Sequence, residues 1–142
     1  MYSAANGRLQ TVLVVEDAEP IRRMVCSILS LSGYNCIEAA DGGEALRVIQ
    51  DAMAPLDLIL TDMLMPVMGG AELARQVASL RPDLRIVFMS GYSDDPVVRI
   101  VQRAPGLFLP KPFTAQALTD KVRSALDMPW TGLPEARSSS AR

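Results

Sequence analysis

The chain has 142 residues, 49% of them hydrophobic and 21% charged, with a net charge of −2. That composition suits one soluble globular domain with a real core, and it argues against a nucleic-acid surface built on bulk charge. Histidine is absent, which excludes a phosphohistidine, a histidine general base and a histidine-ligated zinc.

No apolar run approaches the roughly 20 residues of a membrane-spanning helix. The opening MYSAANGRLQ lacks the charged-then-apolar order of a signal peptide. The expectation is therefore a cytoplasmic chain with no membrane contact. Cys26 and Cys36 make neither a disulfide framework nor a CxxC pair, and read as two reduced structural thiols.

Short apolar runs then alternate with amphipathic stretches. Residues Val12 to Val15 read as a buried strand ending at Glu16-Asp17. Pro20 suits a first helical turn, and Ile21, Met24, Val25, Ile28 and Leu29 recur at helical spacing up to a cap at Gly33. Tyr34 to Ala39 is a weaker strand. Asp41 with Glu44 resembles a capping box before a helix bearing Ala45, Leu46 and Ile49.

Leu56 to Leu60 forms a third run ending at Thr61-Asp62. Gly69-Gly70 precedes a helix with Leu73, Ala74 and Val77 on one face, stopped by Pro82. Leu84 to Met89 is a fourth strand ending at Ser90. Asp95-Pro96 opens a fourth helix to about Arg103, the weakest by pattern. Gly106 to Leu109 is a fifth strand ending at Pro110-Lys111, and Thr114 caps a last helix with Leu118, Val122, Ala125 and Leu126 inward. Residues 1–9 and 128–142 are expected to be flexible, the latter rich in Pro, Gly and Ser.

Such alternation predicts an α/β domain over residues 10–127, with a doubly wound parallel sheet and helices on both faces. In open parallel sheets, ligands bind at the carboxyl ends of strands near the point where strand order reverses. Those ends carry Glu16-Asp17, Asp62, Ser90 and Lys111, whereas the second strand ends in Glu38-Ala39-Ala40. One shared site requires strands 1, 3, 4 and 5 to be neighbours, giving order 2-1-3-4-5, the flavodoxin-like arrangement.

Three carboxylates in one crevice repel, so their pKa values rise or a cation joins them, and hard oxygen donors favour Mg²⁺. The turn Glu16-Asp17-Ala18-Glu19-Pro20 has no glycine and cannot cradle phosphate as a Gly-rich loop does. Phosphoryl chemistry on an aspartate fits instead. It needs a positioned nucleophile and charge neutralisation, with Lys111 and Ser90 as further donors.

The pieces VVEDAEP, DLILTDMLMPVMGG, IVFMSGY and FLPKPF, in this order, resemble the response-regulator receiver domains of two-component signalling from about Gln10 to Asp127. The resemblance implies that Asp62 accepts a phosphoryl group. It further implies that Glu16, Asp17, Asp62 and the Leu64 carbonyl hold Mg²⁺, that Ser90 and Lys111 contact the phosphoryl group, and that Phe108 is a switch residue. It also implies a cis Lys111–Pro112 bond, and Leu64 and Tyr92 flanking and shielding the phosphoryl group. Gly69 departs from the family, which often has Asp there.

The function expected is a phosphoacceptor switch, not an enzyme, charged by a sensor histidine kinase or a histidine phosphotransfer protein. Its output would be a protein partner or a homodimer, met through the fourth helix, fifth strand and fifth helix, with no nucleic-acid partner. The initiating Met1 favours a stand-alone protein over a hybrid-kinase receiver. Two alternatives remain. One is a phosphorylation-independent adapter. The other is a cofactor binder or phosphatase on the same architecture, disfavoured by the missing phosphate loop and by Leu64 standing where a second aspartate would act.

Overall fold

The structure, a computed structural model, describes residues 9–132 apart from 52, 92–95, 97, 98, 100, 101 and 104. Five parallel strands make one sheet: β1 (Thr11–Val15), β2 (Asn35–Ala39), β3 (Leu58–Asp62), β4 (Arg85–Ser90) and β5 (Phe108–Pro110). Their order is β2-β1-β3-β4-β5, as the strand-end argument requires. Four α-helices lie within the described residues: α1 (Glu19–Leu31), α2 (Gly42–Gln50), α3 (Gly70–Leu80) and α4 (Ala115–Asp127). The expected helix from Asp95 to Arg103 falls mainly outside the described residues.

Strand periodicity divides the core in two. Leu13, Val15, Ile59, Ile86 and Phe88 face α2 and α3, packing with Ala45, Ile49, Leu73 and Val77. Their neighbours Val12, Val14, Leu58, Leu60, Val87 and Met89 face α1 and α4, packing with Val25, Leu29, Leu118 and Val122. Because alternate side chains point to opposite faces, a strand apolar throughout must be covered on both sides. β1 and β3 are buried along their whole length.

The helix ends follow local chemistry. Gly33 has φ of 99°, its N–H reaches the Ser30 carbonyl at 3.1 Å, and the Tyr34 N–H reaches that of Leu29 at 3.1 Å. This is the Schellman pattern, which satisfies two terminal carbonyls and uses the left-handed conformation that glycine adopts readily. Asp41 accepts from Glu44 N–H at 2.8 Å, and Glu44 reaches back to the Ala40 N–H at 2.9 Å, one residue earlier than a standard capping box. Thr114 accepts from Ala117 N–H at 3.0 Å.

Several boundaries differ from those expected. Residues 105–107 form a 3₁₀ turn, so β5 starts at Phe108 rather than Gly106. β3 begins at Leu58 because Asp57 bonds Thr11 from both its N–H and its carboxylate. On α1, Met24 is 45% exposed and Cys26 is buried beside Val25 and Leu29, so the inward stripe is rotated by about one position. Just past α4, Met128 and Trp130 each make one hydrogen bond back to the sheet side of the domain. The Trp130 indole donates to the Pro82 carbonyl at 3.0 Å, and Arg85 donates to that of Met128 at 2.8 Å.

Candidate functional site

β1 and β3 are central neighbours, and their carboxyl ends deliver Glu16, Asp17 and Asp62 to one place. One carboxylate oxygen from each lies within 4.8 Å of the others. Glu16 is 1% exposed and Asp62 7%, whereas Asp17 faces solvent. α1 is N-capped by Ala18 without a side-chain bond, so neither acidic side chain is spent on capping that helix. Glu16 is instead a fixed element of the crevice. Its Oε2 accepts from the Ala18 N–H at 3.2 Å and its backbone carbonyl accepts from Arg22 at 2.9 Å.

Lys111 reaches the same crevice from the end of β5. Its Nζ donates to Glu16 Oε1 at 2.8 Å and stands 3.4 Å from Asp62 Oδ1. The Lys111–Pro112 peptide is cis, as expected, and the Lys111 N–H bonds the Ser90 carbonyl at 2.8 Å. Burial, then the charge of Glu16, pushes the Asp62 carboxyl up from 3.8 to about 6, against the opposing pull of Lys111. Burial on its own would lower the Lys111 ammonium. Its bond to Glu16 and the charge of Asp62 outweigh that and hold it raised. The crevice thus holds more negative charge than one ammonium neutralises, which is the electrostatic condition for a divalent cation.

Ser90 ends β4 one residue beyond Met89, the register partner of Asp62, and is 2% exposed. Its hydroxyl donates to the Gly91 carbonyl at 3.1 Å. Leu64 lies at the start of the β3–α3 loop with its side chain 50% exposed. Phe108 pairs in register with Phe88 and is half-buried against the α2–α3 side of the core. Tyr92 lies outside the described residues. The methionines divide as packing residues do: Met63 is buried, and Met65 and Met68 pack against the same core cluster.

The structure supplies a reason for the glycine at 69. A Cβ there would stand 2.9 Å from the Met63 carbonyl, and one on Gly70 would stand 2.5 Å from that of Asp62. α3 therefore starts hard against the end of β3, and the Gly70 N–H bonds the Met63 carbonyl at 2.8 Å. Between them, Val67 has φ of 71°, and the Met68 N–H reaches the Pro66 carbonyl at 2.7 Å, a tight three-residue turn.

Sequence reasoning missed Arg22. Its side chain is 13% exposed and joins the Glu16 carbonyl to the Glu38 carboxylate at 3.0 Å, tying β1, α1 and β2 together. Its position one turn into α1 marked it only as another arginine. Thr61 is also fully buried, and its hydroxyl donates to the Asp62 carbonyl at 3.0 Å.

Residues 12–123 match the model of the response regulator receiver domain. The chain is similar to the sensor kinase CckA of Brucella abortus, with 36% identity over 82% of this chain and 12% of that one. It is also similar to the phosphate regulon transcriptional regulatory protein PhoB of Pseudomonas aeruginosa, with 32% identity over 89% of this chain and 56% of that one. The chain thus spans from about an eighth to about half of the length of these two relatives. Among solved structures, a CheY-like response regulator receiver domain protein from Methanospirillum hungatei superposes with a TM-score of 0.74 at 30% identity, over 84% of this chain and 95% of that one. With the family model spanning most of the chain, and with strand order and fold agreeing, this protein belongs to the response regulator receiver domains of two-component systems.

Proposed function

We propose that the chain is a phosphoacceptor switch in which Asp62 takes a phosphoryl group from a phosphohistidine on a sensor histidine kinase or a histidine phosphotransfer protein. The observation that carries this reading is the buried Asp62 carboxylate at the end of a central strand, with Glu16, Asp17 and the Lys111 ammonium around it.

An Asp62 oxygen attacks phosphorus while the bond from phosphorus to the donor imidazole breaks, leaving an acyl phosphate. The attacking group must be ionised, and with its pKa near 6 it is largely so at neutral pH. Lys111 already stands within ion-pair distance of Asp62 and supplies one positive charge to the transferred group. Ser90, next to it at the end of β4, supplies a hydroxyl donor.

The donor set, carboxylate oxygens without histidine or thiolate, fits Mg²⁺. Glu16, Asp17, Asp62 and the Leu64 carbonyl would hold the ion. When bound, it supplies positive charge that offsets the phosphoryl oxygens in transfer. Lys111 then need not be spent on Glu16 and is free to turn toward the phosphoryl group.

The acyl phosphate adds acceptor oxygens beside Ser90 and Lys111, and only contacts that differ between the two states can shift a conformational equilibrium. Phe108, two residues from Pro110 on β5, is the side chain placed to respond. The surface of β5, α4 and the expected helix between Asp95 and Arg103 is where a protein partner or a second copy would read the change. Leu64, with Tyr92, would shield the acyl phosphate. The reading makes the chain a signalling protein rather than an enzyme, acting in the cytoplasm where phosphohistidine donors are charged from ATP, and without a nucleic-acid partner of its own.

The test is intact-mass spectrometry after a phosphodonor is added with Mg²⁺ or with a chelator. Wild type should gain one phosphoryl group only with Mg²⁺, and Asp62→Asn should gain none. Equal labelling of the two proteins removes Asp62 from the role. No labelling of either, with donor that charges another receiver in parallel, favours the phosphorylation-independent adapter.

A further inference from the structure

We propose that the segment from Met128 to Trp130 is a releasable strap, which clips the end of α4 across the starts of β4 and β5 and opens when Phe108 changes place. The strap itself stands on its own contacts, and what moves Phe108 rests on the phosphoacceptor reading above.

The strap is fastened at two points. The Arg85 guanidinium, at the start of β4, donates to the Met128 carbonyl at 2.8 Å. Two residues on, the Trp130 indole donates to the Pro82 carbonyl at 3.0 Å, and its side chain packs against the core cluster that contains Ile86 and Phe88. Phe108 packs against that same cluster. The Met128 side chain covers the 3₁₀ turn, since a Cβ on Gly106 would stand 3.2 Å from the Met128 Cε. That turn, Pro105–Leu107, runs directly into Phe108 at the start of β5. A rearrangement of Phe108 therefore disturbs the turn under Met128, the cluster under Trp130, or both.

The fastening is weak. Both hydrogen bonds are made at the surface, residues 129–132 form no helix or strand, and Met128 is 43% exposed. A segment held in this way opens at far less cost than the sheet beneath it. The closed strap also coexists with an Arg85 Nε that is buried and meets no acceptor among the described residues, a cost that opposes closure. Holding and releasing contributions of this kind make a two-state element that a change elsewhere in the fold can bias. β4 runs from Arg85 to Ser90, so release would free the chain after α4 at the pole of the sheet opposite Asp62.

Trp130 is the only tryptophan of the chain, so its fluorescence reports the strap alone. The experiment measures emission and acrylamide quenching of the full chain with Mg²⁺, before and after a phosphodonor is added, with intact mass on the same samples. Phosphorylated wild type should show red-shifted emission and a quenching constant raised about twofold, as the strap goes from mostly closed to mostly open. Asp62→Asn should show neither change. A sample that gains its phosphoryl group with emission and quenching unaltered overturns the strap proposal and leaves the phosphoacceptor reading intact. A sample that gains none overturns that reading instead, and the strap is then decided without phosphate. Unphosphorylated Phe108→Ala, or Phe108→Leu if circular dichroism shows the alanine variant unfolded, should raise the quenching constant. Val25→Ala, which opens a cavity in the other core cluster beside α1, should not. Wild-type quenching in the Phe108 variant, or an equal rise in both variants, overturns the proposal.

Discussion

Replacing Asp62 with asparagine should stabilise the fold when no divalent cation is present. The Asp62 side chain is 10% exposed, and its carboxyl is raised from 3.8 to about 6 by burial first and the charge of Glu16 second. Below pH 3.8 the group is protonated in the folded and unfolded chains alike, so its ionisation does not affect stability. As pH rises toward 6 the unfolded chain loses its proton first and the folded chain binds more protons, so stability falls across this window and then levels off. The gap corresponds to roughly 3 kcal/mol, which relaxation of the crevice and water reduce to about 1–3 kcal/mol of lost stability at neutral pH. Asparagine keeps the shape and removes the charge. Urea unfolding with a chelator, at about pH 8 and about pH 4, measures the difference between the two proteins. The variant should be more stable by that amount at the higher pH, and the two should converge at the lower. An identical gap at both pH values, or a less stable variant at the higher one, would show that the charge of Asp62 is not the source of the strain. Added Mg²⁺ should narrow the gap, because an ion bound only by the native crevice stabilises wild type by mass action.

Lys111→Met should destabilise the cation-free protein by about 2–4 kcal/mol, since Glu16 would stay buried without its ammonium partner. The same variant should bind Mg²⁺ more tightly by calorimetry, because Lys111 competes for Glu16; weaker binding would contradict this. Val67→Gly should raise stability by about 1 kcal/mol, read as a higher urea midpoint at unchanged slope. A β-branched residue at φ of 71° is strained, and its side chain, fully exposed, gives up no burial. Gly70→Ala should cost about 1–3 kcal/mol, because its Cβ would stand 2.5 Å from the Asp62 carbonyl. It should also slow phosphoryl labelling by displacing Asp62, and labelling at the wild-type rate would show that α3 can shift without moving the end of β3.

The element sequence was legible because each strand is a short apolar run and most helices carry a local stop or start signal. Asp41, Thr114 and Gly33 act on neighbours within five residues, so their roles could be read without knowing the fold. Strand order was also legible, since polar residues at the ends of apolar strands make sense only where those ends meet. The family resemblance named the same residues and added roles that pattern could not supply.

Other features belong to the tertiary structure alone. The inward edge of α1 depends on how the helix sits on the sheet, and a stripe that includes both Met24 and Val25 cannot say which side of it is covered. Arg22 and Trp130 became structural residues only through partners that local pattern does not connect to them, Glu38 and Pro82. The contact between Lys111 and Glu16 joins residues 95 positions apart. Nothing local to either residue encodes that distance or the burial that raises the Asp62 carboxyl. Local periodicity and strand polarity were enough to read the five strands, the helices α1 to α4, and the end of the sheet that holds the polar groups. How deeply each charge is buried, and which partner neutralises it, came from packing, because desolvation and Coulomb energy depend on distances that exist only once the strands are packed together.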